Sequence, residues 1–291
     1  MIAAPEVRRL PRRSRSAAER RARGGPFTYG VLVLVTILAL IPLYWTVVAA
    51  SRTNADIAKT PPPLTPGGNL FSNMRHALEQ VDMVKALLNS LIVSGAIALG
   101  TDFFCTLAGF AFAKLRFRFS TVLLVVILAT MMVPAQLGVV PLFILMAKLG
   151  WVNHLQAVIL PTIVSAFGVV FMRQYLARAL PNEIIEAAVV DGASSFRIFR
   201  SIVLPAARPA MAVLGMLTFL MAWNDFFWPI IALSSQNPTV QVALNGLGQG
   251  YVPDRSIILA GTLVGTLPVL VVFALLGKQI VGGIMEGAVK G

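Results

Sequence analysis

The feature that most restricts the fold of this chain is a series of long apolar runs separated by polar or proline-rich segments. About 20 residues of α-helix cross the ~30 Å hydrocarbon layer of a membrane at a rise of 1.5 Å per residue. Within lipid the backbone must satisfy its own hydrogen bonds, so such runs form helices. The sequence therefore predicts an all-α membrane protein with spans at about residues 27–50, 87–113, 119–146, 155–172, 209–233 and 257–276.

The composition supports the membrane class and argues against other classes. Hydrophobic residues make up 57% of the chain and charged residues only 12%. The net charge of +12 lies in an N-terminal tail and in short loops, whereas nucleic-acid binding needs a basic face on a soluble fold, so no nucleic-acid partner is expected. Cys105, the single cysteine, lies in an apolar run and excludes an intrachain disulfide.

Basic residues are distributed unevenly among the segments between the runs, and cytoplasmic loops are usually the richer in Lys and Arg. With the N-terminus inside, the cytoplasmic residues are Arg8, Arg9, Arg12, Arg13, Arg15, Arg20, Arg21, Arg23, Lys114, Arg116, Arg118, Arg173, Arg178, Arg197, Arg200, Arg208, Lys278 and Lys290. We therefore predict a cytoplasmic Arg-rich tail at 1–25, a six-span domain at 26–278 and a cytoplasmic tail at 279–291. Segments 51–86 and 234–256 should face outside.

Polar or helix-breaking residues interrupt several of the apolar runs. Pro134 and Pro141 free backbone carbonyls in the third run, which suggests a position in the bundle interior or at a hinge, with a simple kink as the alternative. Asp102 and Asp225 are costly in lipid, so they should face the bundle interior or lie near an interface. Together they are the best support for a membrane-embedded enzyme, the competing class.

The segment 181–205 is polar compared with the runs around it. Pro181-Asn182 suits a helix start and Asp191-Gly192 a helix stop, because glycine adopts the left-handed conformation that closes a helix. A second short helix is predicted from Ser194 or Ser195 to Pro205, whose ring cannot continue the hydrogen-bond ladder. Its apolar face would carry Phe196, Phe199, Ile202 and Val203. Such a pair of helices can dock in a groove of another protein or rest on the bilayer surface.

Several motifs carry a resemblance to a known family. They are Glu186-Ala187-Ala188 with Gly192 and Ile202-x-Leu204-Pro205, Leu88-Asn89-Ser90-Leu91-Ile92, Ala111-Phe112-Ala113-Lys114-Leu115-Arg116-Phe117, Met132-Val133-Pro134-Ala135-Gln136, Ala222-Trp223-Asn224-Asp225 and Gly287-Ala288-Val289-Lys290-Gly291. Taken in order, they resemble the MalG-like permease subunits of carbohydrate ABC importers, and the first resembles the EAA loop of that family. The resemblance implies a type I importer permease fold in the bacterial cytoplasmic membrane.

The resemblance also implies partners and site residues. The partners are a second permease, two cytoplasmic ATPase subunits, an extracytoplasmic solute-binding protein, a sugar and membrane lipid. The residues that would couple to the ATPase are Glu186, Ala187, Ala188, Asp191, Gly192, Ala193, Phe196, Phe199, Leu204 and Pro205. Trp223, Asn224 and Asp225 would line the translocation path, with helix packing as the alternative. The external loop 234–254, rich in Gly and Asn, is expected to project without burying a core and to reach the binding protein. The tail 287–291 would contact the ATPases, unless it is a frayed end.

The chain lacks the motifs of an ATP-hydrolysing enzyme. Gly277-Lys278 is followed by Gln279, so the phosphate-binding loop signature is absent and a separate subunit must supply ATP hydrolysis. His76 and His154 have no companion ligands at metal spacing, and neither a metal nor a cofactor is expected. An importer of a polyol or glycerol phosphate is the alternative within transport, because related permeases carry those solutes.

Overall fold

The computed structural model describes residues 25–249 and 251–288, and side chains as far as residue 275. The predicted Arg-rich tail up to residue 24 and the last three residues of the C-terminal tail lie outside the described residues. Within this part every regular element is helical. In chain order the elements are α1 (Pro26–Ala50), α2 (Asn54–Ile57), α3 (Leu70–Gln80), α4 (Met83–Lys114), α5 (Ser120–Thr130), a 3-10 turn (Ala135–Gly138), α6 (Val139–Lys148), α7 (Gln156–Thr162), α8 (Ala166–Ala179), α9 (Asn182–Val190), α10 (Ser195–Ile198), a π-helical turn (Phe199–Val203), α11 (Leu204–Asn224), α12 (Phe227–Ala232), α13 (Val240–Leu247) and α14 (Arg255–Ala288).

The number of spans agrees with the sequence when bent helix pairs are counted as single spans. Across residues 25–249 and 251–288, four helices are long and apolar enough to cross a membrane alone: α1, α4, the helix from Ser195 to Asn224, and α14. Two bent pairs, α5 with the segment 135–148 and α7 with α8, raise the count to six. Six was the number predicted.

The chain divides into two compact units, one ending at Thr46 and the other beginning at Val47. In the first unit, residues 26–44 of α1 are apolar almost throughout and exposed. A helix that is apolar on every side and exposed is suited to lipid rather than to water.

In the second unit α4 is the central helix, packed against both α8 and α11. Its polar side chains bond to backbone groups where neighbouring helices are interrupted. Asn89 Nδ2 donates to the carbonyl of Pro238 at 2.9 Å, and Thr101 Oγ1 donates to the carbonyl of Ile163 at 3.1 Å. Backbone groups freed inside a membrane need partners of this kind. The polar residues of α4 therefore stabilise breaks in the helices around it.

Two glycines allow α4 and α8 to approach closely. A Cβ atom at Gly109 would lie 2.8 Å from the backbone nitrogen of Arg173, and one at Gly168 would lie 2.7 Å from Cys105 Sγ. Such distances are too short for real contacts, so a larger residue at either position would push the helices apart. Small residues serve this purpose at membrane helix interfaces.

The third predicted span, 119–146, is not one straight helix. α5 ends at Thr130, and the chain resumes as helix after Pro134 with a bend of 91°. Proline lacks an N–H and disfavours helical conformation in the residue before it, which explains the break. Pro134 lies at this bend, in agreement with the prediction of a hinge position. Pro134 and Pro141 are both exposed in the chain, so the expectation of an interior position is wrong for the isolated subunit.

The fourth and fifth spans also differ from their predicted bounds. The fourth is α7 and α8, joined at a 44° bend and continuing to Ala179 rather than ending at 172. Ser165 caps α8, its Oγ accepting a hydrogen bond from the N–H of Gly168 at 2.9 Å. The fifth predicted span, 209–233, is wrong at both ends, because the helix begins at Ser195 and stops at Asn224.

The segment 234–254 does not project as a loop without a core. Its middle forms α13, in which Val240, Val242, Ala243 and Leu247 are buried. The expectation failed because these apolar residues pack against α4 and α14, a pattern that the Gly and Asn residues of the segment obscured.

Hydrogen bonds place the connecting segments at two opposite ends of α4. At the Met83 end, Lys85 Nζ donates to the carbonyl of Gln236 at 2.6 Å. The N–H of Arg255 donates to Asn54 Oδ1 at 3.2 Å, so the two segments predicted to face outside lie together. At the other end, Lys114 Nζ donates to Asn182 Oδ1 at 2.9 Å, which brings the predicted cytoplasmic loop there.

Candidate functional site

The predicted bend between the two short helices is present and contains a left-handed glycine. α9 ends at Val190, and Gly192 follows with φ of +79°. The N–H of Gly192 donates to the carbonyl of Val189 at 3.0 Å, and that of Ala193 donates to the carbonyl of Ala188 at 2.9 Å. This pair of bonds is the Schellman motif, which satisfies carbonyls at a helix C-terminus. A Cβ atom at position 192 would meet nothing within 4 Å, so glycine is needed for its conformation.

The helix after the bend begins as predicted but continues much further. Ser194 caps it, its Oγ accepting a hydrogen bond from the N–H of Arg197 at 3.3 Å. The expectation that this helix ends near Pro205 is wrong, because α10, the π-helical turn and α11 form one continuous helix to Asn224. The bend is therefore joined directly to a membrane span.

The π-helical turn explains how the helix passes the proline. The N–H of Leu204 bonds to the carbonyl of Phe199, five residues earlier instead of four. In a regular helix the ring of Pro205 would clash with the carbonyl four residues before it. The wider turn relieves this crowding at the position where proline has no N–H to donate.

The predicted apolar face of this helix is divided between the core and the surface. Phe199 is 1% exposed, and its ring centroid lies 6.1 Å from that of Phe103 and 6.0 Å from that of Phe110. Phe196, one turn earlier, is 68% exposed. The two residues thus do not form one accessible face as expected. Phe199 anchors the helix within its own bundle, and of these two residues Phe196 is the one available to a partner.

Large apolar side chains are exposed on both sides of the bend. We call them the exposed apolar patch: Ile184, Val189, Val190 and Phe196. Among the other predicted coupling residues, Glu186, Ala187, Asp191, Gly192 and Pro205 are exposed, and Ala188, Ala193 and Leu204 are half-buried. The sequence interpretation missed Ile184, Val189 and Val190. The available signal for Ile184 and Val190 was their position off the helix face that carries Ile185, the buried residue of α9, whereas Val189 follows Ile185 on that same face at the end of the helix.

Charged side chains surround the exposed apolar patch. Glu186 and Asp191 are exposed on the α9 side, and Arg197 and Arg200 are exposed on the other. Among the residues that the structure describes, no cation lies within ion-pair distance of Glu186. Its carboxylate is exposed to solvent.

The predicted path residues mark the break between α11 and α12. Trp223 is 2% exposed, stacks on Phe219, and donates from Nε1 to the carbonyl of Gly265 at 3.3 Å, so it packs in the core instead of lining a path. Asn224 is exposed and bonds to a carbonyl of its own helix. Asp225 is half-buried and is the C-cap of α11.

Asp102 lies half-buried between α4 and α11, opposite Gly215. Its Oδ1 atom is buried and has no hydrogen-bond partner among the described residues. Within that same part of the chain, no group of three or more His, Cys, Asp and Glu side chains could hold a metal ion. Asp102 is thus a half-buried carboxylate, and the described residues around it form no metal centre.

A depression of about 260 Å³ lies at the Met83 end of α4, lined by Asn54, Ile57, Ala58, Val252, Pro253 and Arg255. Next to it, Tyr251 and Val252 are strongly exposed. On α2, hydrogen bonds from Lys59 and then Thr53 lower the pKa of Asp56 to about 2. The two segments predicted to face outside thus build one surface with apolar and charged groups.

Over the described residues the chain is thus an all-helical membrane protein with breaks in its spans and a two-helix loop fused to one of them. Residues 106–280 match the family of binding-protein-dependent transport system inner membrane components, and the chain belongs to that family. It is therefore a permease component of a transport system, in a multi-pass membrane arrangement.

Individual relatives resemble the chain over most of its length. The lactose transport system permease protein LacG of Rhizobium radiobacter is 34% identical over 263 residues, which are 90% of this chain and 95% of that protein. The arabinooligosaccharides transport system permease protein AraQ of Halalkalibacterium halodurans is 31% identical over 261 residues, covering 88% and 93%. A chain from the crystal structure of a bacterial ABC transporter that imports the acidic polysaccharide alginate superposes with a TM-score of 0.75 at 21% identity, covering 92% of this chain and 99% of that one. This last likeness supports the fold.

Proposed function

We propose that this permease receives motion from a cytoplasmic ATPase through the exposed apolar patch and passes it into the membrane through α11. The observation that carries the proposal is the continuous helix from Ser195 to Asn224, which joins Phe196 of the patch to a membrane span without a flexible link. A displacement of the patch therefore displaces the span as well. The remainder of the chain then changes access to a solute rather than performing chemistry.

The apolar character of the patch favours a protein groove as its binding site. Burying a fully exposed large apolar side chain contributes about 1.5–3 kcal/mol, so the patch can supply several kcal/mol of association. The alternative, contact with the bilayer surface, gains little from charge because the exposed carboxylates of Glu186 and Asp191 offset the exposed Arg197 and Arg200 on the same loop. Anionic lipids of the cytoplasmic leaflet repel such groups and attract basic ones. We assign Glu186 the role of accepting a cation from the ATPase.

The distribution of basic residues supports the orientation. With the loop 181–205 inside, both termini are cytoplasmic, and the surface around Tyr251 faces outward. That outer surface is then available to a solute-binding protein, a partner that the description of the family includes. A second permease and two ATPase subunits complete the assembly that we propose.

The solute class is inferred from the relatives. LacG and AraQ are lactose and arabinooligosaccharide permeases by name, and the diacetylchitobiose uptake system permease protein NgcG of Streptomyces coelicolor is 28% identical over 95% of this chain. We infer that this chain also imports a sugar or oligosaccharide. Asn224 and Asp225, at the break between α11 and α12, are the predicted path residues whose side chains are open enough to meet it.

The proposal is tested by purifying the chain with its native partners and measuring ATP hydrolysis in proteoliposomes. Lactose, arabinooligosaccharides, diacetylchitobiose and glycerol 3-phosphate are offered in turn, each with the co-purified binding protein. We expect a sugar to stimulate hydrolysis and to accumulate inside the vesicles. Stimulation by glycerol 3-phosphate alone would refute the solute class. Turnover of a substrate by this chain without an ATPase would refute the transport mechanism.

A further inference from the structure

One lysine connects the loop 181–205, which we call the coupling loop, to the end of the central helix α4. Lys114 is the last residue of α4. Its Nζ donates a hydrogen bond to Asn182 Oδ1 at 2.9 Å and another to the carbonyl of Ala177 at 3.4 Å. Asn182 is the first residue of α9, and Ala177 lies in the last turn of α8. A single ammonium group thus joins the ends of three helices, across 63 and 68 residues of sequence.

The position suits a cation for physical reasons. The last carbonyls of a helix lack partners within the helix, and the C-terminus carries partial negative charge. Lys114 lies at the C-terminus of α4 and beside that of α8, so both helix ends attract its ammonium group. The side chain is half-buried, which limits competition from water.

The contact adds to the packing of α9, which consists of Ile185 in the core and Ala188 against it. This helix has nine residues, and its buried side chain is that of Ile185. Asn182 begins the helix, whereas Val189 and Val190 of the exposed apolar patch lie at its other end. A contact at Asn182 therefore fixes the end of α9 that lies away from Val189 and Val190.

We propose that Lys114 is a positioning residue for energy coupling, which fixes the start of α9 to α4. Displacement of the exposed apolar patch then moves α4 through this contact, in addition to moving α11 through the continuous helix. Because α4 packs along both α8 and α11, this second route reaches the centre of the bundle. The inference rests on the proposed function and adds to it a residue and a route.

The test measures movement at the far end of α4 in the complete complex with its ATPase. Val84, the second residue of α4 and 62% exposed, is replaced by cysteine in a Cys105→Ser background. The rate of labelling by a maleimide is recorded with and without a non-hydrolysable ATP analogue, and co-purifying ATPase is quantified in parallel. We expect Lys114→Met to reduce the nucleotide-dependent change about fivefold, as for loss of a partly exposed charged hydrogen bond, while the ATPase remains bound.

Conservative and double variants separate coupling from stability. Lys114→Arg keeps a donor and Asn182→Asp keeps an acceptor, so each should retain the response. Asn182→Ala should match Lys114→Met, and the double variant should lose no more than either single one. An unchanged response in Lys114→Met, or additive losses in the double variant, would overturn the inference. If Lys114→Met lowers the yield of complex, the test rests on Asn182→Ala, because Asn182 is exposed. A fivefold smaller nucleotide-dependent change in labelling in that variant supports the inference, and an unchanged one overturns it.

Different results would refute coupling through the loop 181–205 and the role of Lys114. Full solute uptake in a Gly192→Pro variant would refute coupling through the loop altogether. Loss of uptake in that variant, together with a normal response in Lys114→Met and Asn182→Ala, would refute only the role of Lys114.

Discussion

Substitution of Gly192 by proline perturbs the bend while leaving the membrane spans untouched. Gly192 has φ of +79°, whereas proline is restricted to about −65°, so the native bend is not accessible to the variant. Proline also removes the N–H that donates to the carbonyl of Val189 at 3.0 Å. We expect the variant to insert in the membrane, to lose associated ATPase and to show no uptake.

An alanine variant gives a graded version of the same perturbation. A Cβ atom at position 192 meets nothing within 4 Å, so no steric clash contributes. The remaining cost is that of a left-handed conformation for an L-residue, about 1–2 kcal/mol. Since 1.4 kcal/mol corresponds to about a tenfold change in an equilibrium, Gly192→Ala should lower ATPase association by roughly one order of magnitude. Gly192→Asn should be milder, because asparagine tolerates this conformation better.

The chain contains a matched control for this experiment. Gly150 has φ of +68°, and a Cβ atom there would also meet nothing within 4 Å. The N–H of Gly150 donates to the carbonyl of Ala147 at 3.1 Å, and the N–H of Trp151 donates to the carbonyl of Met146 at 2.9 Å. These two bonds form the same Schellman motif as at Gly192. This turn follows α6, away from the coupling loop. Gly150→Pro therefore carries the same backbone cost without altering the bend.

The assay compares membrane-inserted protein, co-purifying ATPase and uptake of radiolabelled solute in each variant. Coupling through the bend predicts loss of ATPase in Gly192→Pro and retention in Gly150→Pro. Full uptake by Gly192→Pro would show that the loop is only a surface connector. Equal loss of co-purifying ATPase in the Gly192→Pro and Gly150→Pro variants would show that the loss results from general destabilisation.

Three further predictions follow from exposure and burial. Phe196→Ser should weaken ATPase association about tenfold or more at unchanged stability, whereas Phe199→Ala should destabilise the bundle by about 3–5 kcal/mol, as thermal unfolding of the complex can show. A cysteine replacing Ser195 in a Cys105→Ser background should react with an impermeant maleimide only in inside-out vesicles; reaction in intact cells would reverse the proposed topology. Tyr251→Ser should reduce the stimulation of ATP hydrolysis by the binding protein without affecting basal hydrolysis. Stimulation equal to that of the unmodified chain would show that Tyr251 does not contribute to binding-protein docking.

Local features of the loop could be predicted because their chemistry is local. The left-handed glycine at 192 and the serine cap at 194 depend on backbone conformation and on neighbours within three to five residues. The number of spans could also be predicted, since about 20 apolar residues suffice to cross the bilayer. These elements required no knowledge of what packs against them.

The contact of Lys114 with Asn182 could not be predicted in this way, because it joins residues 68 positions apart. The division of Phe196 and Phe199 between surface and core has the same origin. Both are phenylalanines one turn apart on one helix, and only the positions of Phe103 and Phe110 determine which of them is buried.

Two prolines show which part of the helix geometry the sequence determines and which part depends on tertiary packing. The ring and the missing N–H argue for a helix break at both Pro134 and Pro205. At Pro134 the flanking side chains are exposed, so their burial does not oppose the break and the helix bends by 91°. Before Pro205, Phe199 and Val203 are buried, and this packing holds the backbone in a helix that widens into a π-helical turn. The same local signal therefore gave a break in one place and a continuous helix in the other, according to the burial energy of the adjacent side chains.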